Sequence, residues 1–214
     1  MLHLQHPILW QDWKVLIQKY SKDEELTSQI FEEIVSYYSE KHRAYHNLGH
    51  IESLLNLAKQ YQNLLEKVDN VRFAIWFHDI IYQPSSSENE ENSALLAKKY
   101  LKKLGVPENQ IQEICAWILA SKTHQLLENQ QIFDAQFFLD IDLSILGAEK
   151  ETYDVYCKNI RKEYNIYPDL IYKLGRKKVL QSFIEKPKIY KTDLFFNLLE
   201  EKAKANLKRE MDNL

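Results

Sequence analysis

The sequence predicts an all-α fold of about nine or ten helices, and three observations support that expectation. Apolar residues recur at spacings of three and four over most of the chain, the period of amphipathic helices. Only four glycines and five prolines fall among 214 residues, so helix-breaking punctuation is sparse. Several of these residues sit where helices start or stop. Pro7, Pro107 and Pro168 suit first turns, and Gly105 suits the left-handed residue that follows a helix.

In chain order, the first helix spans Pro7 to Tyr20 and opens on its proline. The second, Asp23 to Glu40, rests on apolar spacing alone. The third, His46 to Leu65, carries Ile51, Leu54, Leu55 and Ala58 as one stripe. A fourth, Val68 to Tyr82, includes the run from Val71 that is almost wholly apolar apart from Arg72, His78 and Asp79. The polar patch QPSSSENEENS reads as a loop running into the start of the fifth, Glu88 to Leu104, which stops before Gly105. The sixth runs from Pro107 to Thr123, and three more cover Glu149 to Tyr164, Pro168 to Glu185 and Asp193 to Arg209.

At 45 % hydrophobic content, the chain can bury one sizeable core, and one domain is expected. A formal charge of −3 gives no global electrostatic reason for a nucleic-acid or anionic-membrane partner. Cys115 and Cys157 cannot make a disulfide framework, which fits a reducing cytoplasm. No apolar run approaches the roughly 20 residues that cross a bilayer. The opening MLHLQHPILWQDW lacks a basic stretch followed by an apolar one. A soluble cytoplasmic protein is the expectation.

The segment VRFAIWFHDIIY, residues 71–82, looks built for burial yet carries His78 and Asp79 side by side. Both are costly to bury unless hydrogen bonded, ion paired or bound to a metal. Upstream, YHNLGHIESLLNLA places His46 and His50 four apart, on one face if the helix includes both. Downstream, FFLDIDLSILG puts Asp140 and Asp142 in another apolar run. Convergence of the three segments would build a site of nitrogen and oxygen ligands without thiolate. Imidazole in that set favours Mn, Fe, Co, Ni or Zn over Mg alone. A ligating histidine usually donates its other ring hydrogen to an oxygen, so His46, Asn47 and Asp140 are candidates to orient ligands. The competing reading is a set of internal hydrogen-bonded pairs that only fix packing.

His50 in HNLGHIESLL, His78 and Asp79 in AIWFHDIIY, and Asp142 in LDIDLSILG resemble the ordered ligands of the HD-domain metal-dependent phosphohydrolase superfamily. More narrowly, the chain is similar to its small single-domain branch. The resemblance extends over NEENSALLA, SKTH, YCKNIRKEY, GRKKVLQSFI and KAKANLKRE. It implies one HD-type helical domain over residues 1–214, with the site in a core of residues 42–147 and C-terminal helices, 149–209, packed on it. It also implies His50, His78, Asp79 and Asp142 as ligands of a divalent ion, with Asp140 competing for the last place and His46 for that of His50. Members with two metals supply further histidines after the His-Asp pair. SSSENEENSA contains none, so one ion per chain is expected.

The implied activity is hydrolysis of a phosphate ester, of a nucleotide or another small phosphorylated metabolite, by metal-activated water. Asp79 would orient or deprotonate that water. Glu90, beside Glu91, is the candidate general acid or water-positioning group, with a first-turn role at a helix N-terminus as its alternative. Candidates to bind substrate are His46, Lys122, His124, Arg161 and Arg176, arginine suiting bidentate contact with phosphate. His124 could instead serve a second metal or a helix C-terminus.

A binding protein without catalysis is the competing class. From Arg161 to Lys191 nine basic residues face three acidic ones, with Tyr164, Tyr167, Tyr172 and Tyr190 interleaved. Such a composition tracks phosphates and stacks bases. The negative net charge argues against nucleic acid as the main partner. Tyrosine-rich amphipathic helices could also supply a homodimer face.

Overall fold

Proline has no backbone N–H, so Pro7 opens the first helix where that donor would be unpaired anyway. From there the computed structural model, which describes residues 5–127 and 132–214, forms ten α-helices, with no strand among the described residues. The chain divides into two compact units, one ending at Ala135 and one running from Gln136 to Leu214.

The first unit contains α1 (Pro7–Ile17), α2 (Glu24–Tyr38), α3 (Leu48–Gln60), α4 (Val68–Phe77), α5 (Asn89–Lys103), α6 (Glu108–Ser121) and the start of α7 (Phe133–Asp142). Its centre is α4, where Val71 and every residue from Phe73 to Phe77 are buried. A run apolar on all sides, as from Phe73 to Phe77, is stable only inside, and α4 packs against α3, α5 and α6. Trp13 of α1 and Phe31 of α2 meet Trp76 edge to face, at 5.5 and 6.1 Å between ring centroids. Gly105 ends α5 at φ +78°, with Val106 N–H donating to Leu101 O and Gly105 N–H to Lys102 O. That is the six-to-one and five-to-two pair of a Schellman cap, as the glycine predicts.

Near His50 and His78 the helices are shorter than their periodicity suggests. The third begins at Leu48, with Asn47 as its N-cap, so His46 stands outside it. The fourth stops at Phe77, and His78 is its C-cap. In a helix continued beyond Tyr82, Ile80 O would look to residue 84 for its hydrogen bond, and Pro84 has no hydrogen to give. Gln83, before the proline, is also biased away from helical angles.

The second unit holds the rest of α7, a 3-10 turn at Leu143–Gly147, α8 (Lys150–Glu163), α9 (Asp169–Ile184) and α10 (Asp193–Asn213). The apolar run FFLDIDLSILG, outside the helices expected above, forms the end of α7 and that turn. α10 is the spine on which α8, α9 and the turn pack. At Gly147 a Cβ would lie 2.6 Å from Leu199 Cβ and 2.9 Å from its carbonyl oxygen, so only glycine lets the turn approach α10 this closely. The Asn206 side chain of α10 donates to Leu146 O and Ala148 O, both at 2.9 Å, and fixes the same turn.

Among the described residues no helix is long and apolar enough to cross a membrane. Cys115 and Cys157 are half-buried and unbridged.

Candidate metal centre

His50 is placed by the N-terminus of α3. The Asn47 side chain accepts from Gly49 N–H through Oδ1 at 2.8 Å, and its Nδ2 donates to Ala44 O at 3.1 Å. This cap starts the helix so that His50 falls in the first turn, buried to 6 % exposure. His78, 1 % exposed, sits at the opposite kind of terminus, where α4 ends. Its Nδ1 lies 2.9 Å from Ile75 O. A carbonyl only accepts, so Nδ1 carries the hydrogen and Nε2 keeps its lone pair.

These two termini bring the imidazoles together. His50 Nε2 and His78 Nε2 are 3.3 Å apart, and Asp79 Oδ2 lies 3.1 Å from the second and 3.9 Å from the first. Metal–nitrogen bonds of ~2.1 Å place two imidazole nitrogens on one ion about 3.0–3.4 Å apart. The residues therefore fit a divalent ion, and His50 and His78 belong to a His/Asp group that could hold one. The Nδ1 bond of His78 is the orienting contact that ligating histidines typically make.

The other sequence candidates are spread around this trio and beyond it. His46 is half-buried, its ring 6.0 Å from that of His50 and 4.3 Å from that of Tyr82. Glu90 lies in the first turn of α5 and is half-buried. Burial holds its carboxyl above the ordinary range; its own backbone N–H and Lys122 act the other way, while Asp79 and Glu91 add to the rise. Lys122 ends α6 and pairs with Glu91 at 2.5 Å. His124 follows in a turn, at φ 52°.

Four candidates lie in the second unit. Asp142, half-buried, is the last residue of α7. Asp140 accepts from Lys191 N–H at 2.7 Å, Thr192 N–H at 2.8 Å and Thr192 Oγ1 at 2.7 Å. Both its oxygens are thus used to hold the start of α10, whose N-cap is Thr192. Asp140→Ala should lower stability by about 2 kcal/mol, by loss of these buried bonds, without changing metal affinity, a difference that melting and metal titration together read out. Arg161 pairs with Asp169 at 2.6 Å, donates to Tyr164 O and Tyr167 O, and lies over Tyr172. Arg176 makes two bonds to Glu210, at 2.7 and 2.9 Å. Tyr172 and Tyr190, two of the four tyrosines in the basic stretch, are buried and so are not offered to bases for stacking.

The main chain after His78 reveals residues that sequence reasoning passed over. Arg43, its side chain fully buried, donates from Nη1 to Asp79 O at 2.6 Å and His46 O at 3.1 Å, and from Nη2 to Ile80 O at 2.8 Å. Its Nε donates to Glu40 at 2.9 Å. Ser93 Oγ accepts from Ile81 N–H, Asn89 Oδ1 accepts from Gln83 N–H, and His42 Nε2 lies 2.8 Å from Tyr82 O. The signal for these contacts was Pro84, since a helix stopped early leaves carbonyls that need donors.

No protein-family model, curated protein or solved structure matches the chain.

Proposed function

We propose that the chain is a metal-dependent phosphohydrolase of the HD type, with His50, His78, Asp79 and Asp142 as the ligands of one divalent ion. The observation that supports it is the meeting of two imidazoles and a carboxylate around the Nε2 lone pair of His78, whose other nitrogen is tied to Ile75 O. Asp140 is committed to α10, and Asp142 is the aspartate of that run which the resemblance assigns as a ligand.

A bound divalent ion supplies a water of lowered pKa and polarises a phosphoryl oxygen. One oxygen of Asp79 faces the histidines, and its second takes the proton of the attacking water. Glu90, whose protonated form is favoured by burial, gives a proton to the departing oxygen, so the products are an alcohol and phosphate. Substrates are phosphate esters of nucleotides or other small metabolites.

Elemental analysis of protein purified without added metal, then a screen of phosphate monoesters including nucleoside monophosphates with Mn²⁺, Co²⁺, Ni²⁺ and Mg²⁺, tests this reading. The expected result is close to one metal equivalent per chain and turnover that a chelator stops and the ion restores. Absence of retained metal together with absence of turnover under every ion would overturn it.

A further inference from the structure

We infer that Arg43 is a positioning residue for the metal centre, a staple that holds the segment leading into His50 against the segment carrying Asp79; the inference rests on the metal reading above. His50 and Asp79 lie on separate stretches of chain, and neither stretch is helical where the two meet. His46 and Asn47 precede α3, and Asp79 follows α4. A helix would fix the Asp79 and Ile80 carbonyls by bonds from residues 83 and 84. Here Gln83 N–H goes to Asn89 and Pro84 has no hydrogen, so both carbonyls are left to an outside donor.

Arg43 is that donor. One guanidinium nitrogen reaches both His46 O and Asp79 O, and the other terminal nitrogen takes Ile80 O. Glu40 holds Nε, and the rings of Tyr38 and Tyr82 lie 5.1 and 5.5 Å from the guanidinium carbon. The planar fork is therefore fixed in orientation before it meets the carbonyls. Moving Asp79 away from His50 would break bonds on one side of the fork or the other. Lysine offers a point charge without the planar fork and cannot reproduce the pattern.

Metal titration of the full chain after chelator stripping, with Co²⁺ alone as the probe, tests the staple. Arg43→Ala should weaken Co²⁺ binding by about 10–100-fold, the range found when partners that orient metal ligands are removed, and Arg43→Lys should weaken it too. Millimolar guanidinium should restore part of the affinity of Arg43→Ala and leave the parent unchanged. Ile30→Ala, a buried change on α2 that lowers the melting temperature, should keep the parent's affinity. If Arg43→Ala fails to fold, Arg43→Lys carries the test. A parent that binds Co²⁺ while both Arg43 variants match it overturns the staple alone. A parent that takes up no Co²⁺ removes the staple and the metal reading together.

Discussion

Asp79→Ala should abolish stoichiometric metal retention and lower kcat/KM by at least ~10³-fold, since removing a general base alone costs ~10²–10⁴-fold. The carboxylate stands 3.1 Å from His78 Nε2 and 3.9 Å from His50 Nε2, so its loss strips the first unit's trio to two imidazoles. Helical content should stay at the parent's level. Asp79 lies beyond the end of α4, and the bonds that fix its main chain run from Arg43 to carbonyl oxygens, which alanine keeps. Asp79→Asn should behave almost as badly, because it preserves volume while removing the charge. Measured by elemental analysis, circular dichroism and phosphatase turnover, full activity in either variant would contradict the assigned role.

Arg176→Ala should produce the largest loss of stability. Arg176 and Glu210 are 9 % and 8 % exposed at their side chains and share two hydrogen bonds. Tyr153 OH donates to the same carboxylate at 2.5 Å. Removing the guanidinium leaves a buried carboxylate without its counter-ion, a change that costs about 3–5 kcal/mol. For a chain of this size the melting temperature should fall on the order of 10 °C. Replacing both partners with apolar residues, Arg176→Met with Glu210→Leu, should recover much of the loss, because no charge is then stranded.

The same pair sets a pH dependence. Burial works to raise the Glu210 carboxyl, but hydrogen bonding and charge from Arg176 more than offset it, and the group stays below its usual range. A depressed folded-state value means the stabilisation is present above the unfolded value of about 4.3 and is lost as pH falls through the folded one. Thermal melts of the parent should therefore fall steeply in acid below about pH 4, and those of the double apolar variant should fall less. Equal acid sensitivity in the two would show that the pair contributes nothing.

The helical class was legible because period and punctuation are local properties. Gly105 caps α5 as its position implies, and the stripe Ile51, Leu54, Leu55 and Ala58 is buried. The pairing of His46 with His50 was less legible. Spacing of four suits one helix face, but the Asn47 cap starts α3 after His46. Asp140 and Asp142 posed a harder problem. Two residues apart on a helix, they point about 200° apart, so near neighbours in sequence have different tasks. Only the donors of Lys191 and Thr192, some fifty residues downstream, reveal that Asp140 serves α10. Likewise the basic stretch 161–191 shows Arg176 but not its partner. Glu210, which engages Arg176, lies outside that stretch. Long-range polar contacts leave no periodic trace, and Arg43 was overlooked for the same reason.

In the metal-centre reading His50, His78 and Asp79 share one ion. Anomalous diffraction at the cobalt edge, from crystals of the full chain grown with Co²⁺, measures this directly. The expected result is a single strong peak about 2.0–2.2 Å from Nε2 of both histidines and from a carboxylate oxygen of Asp79. At saturating Co²⁺, a peak elsewhere, or none between the two imidazoles, would contradict it.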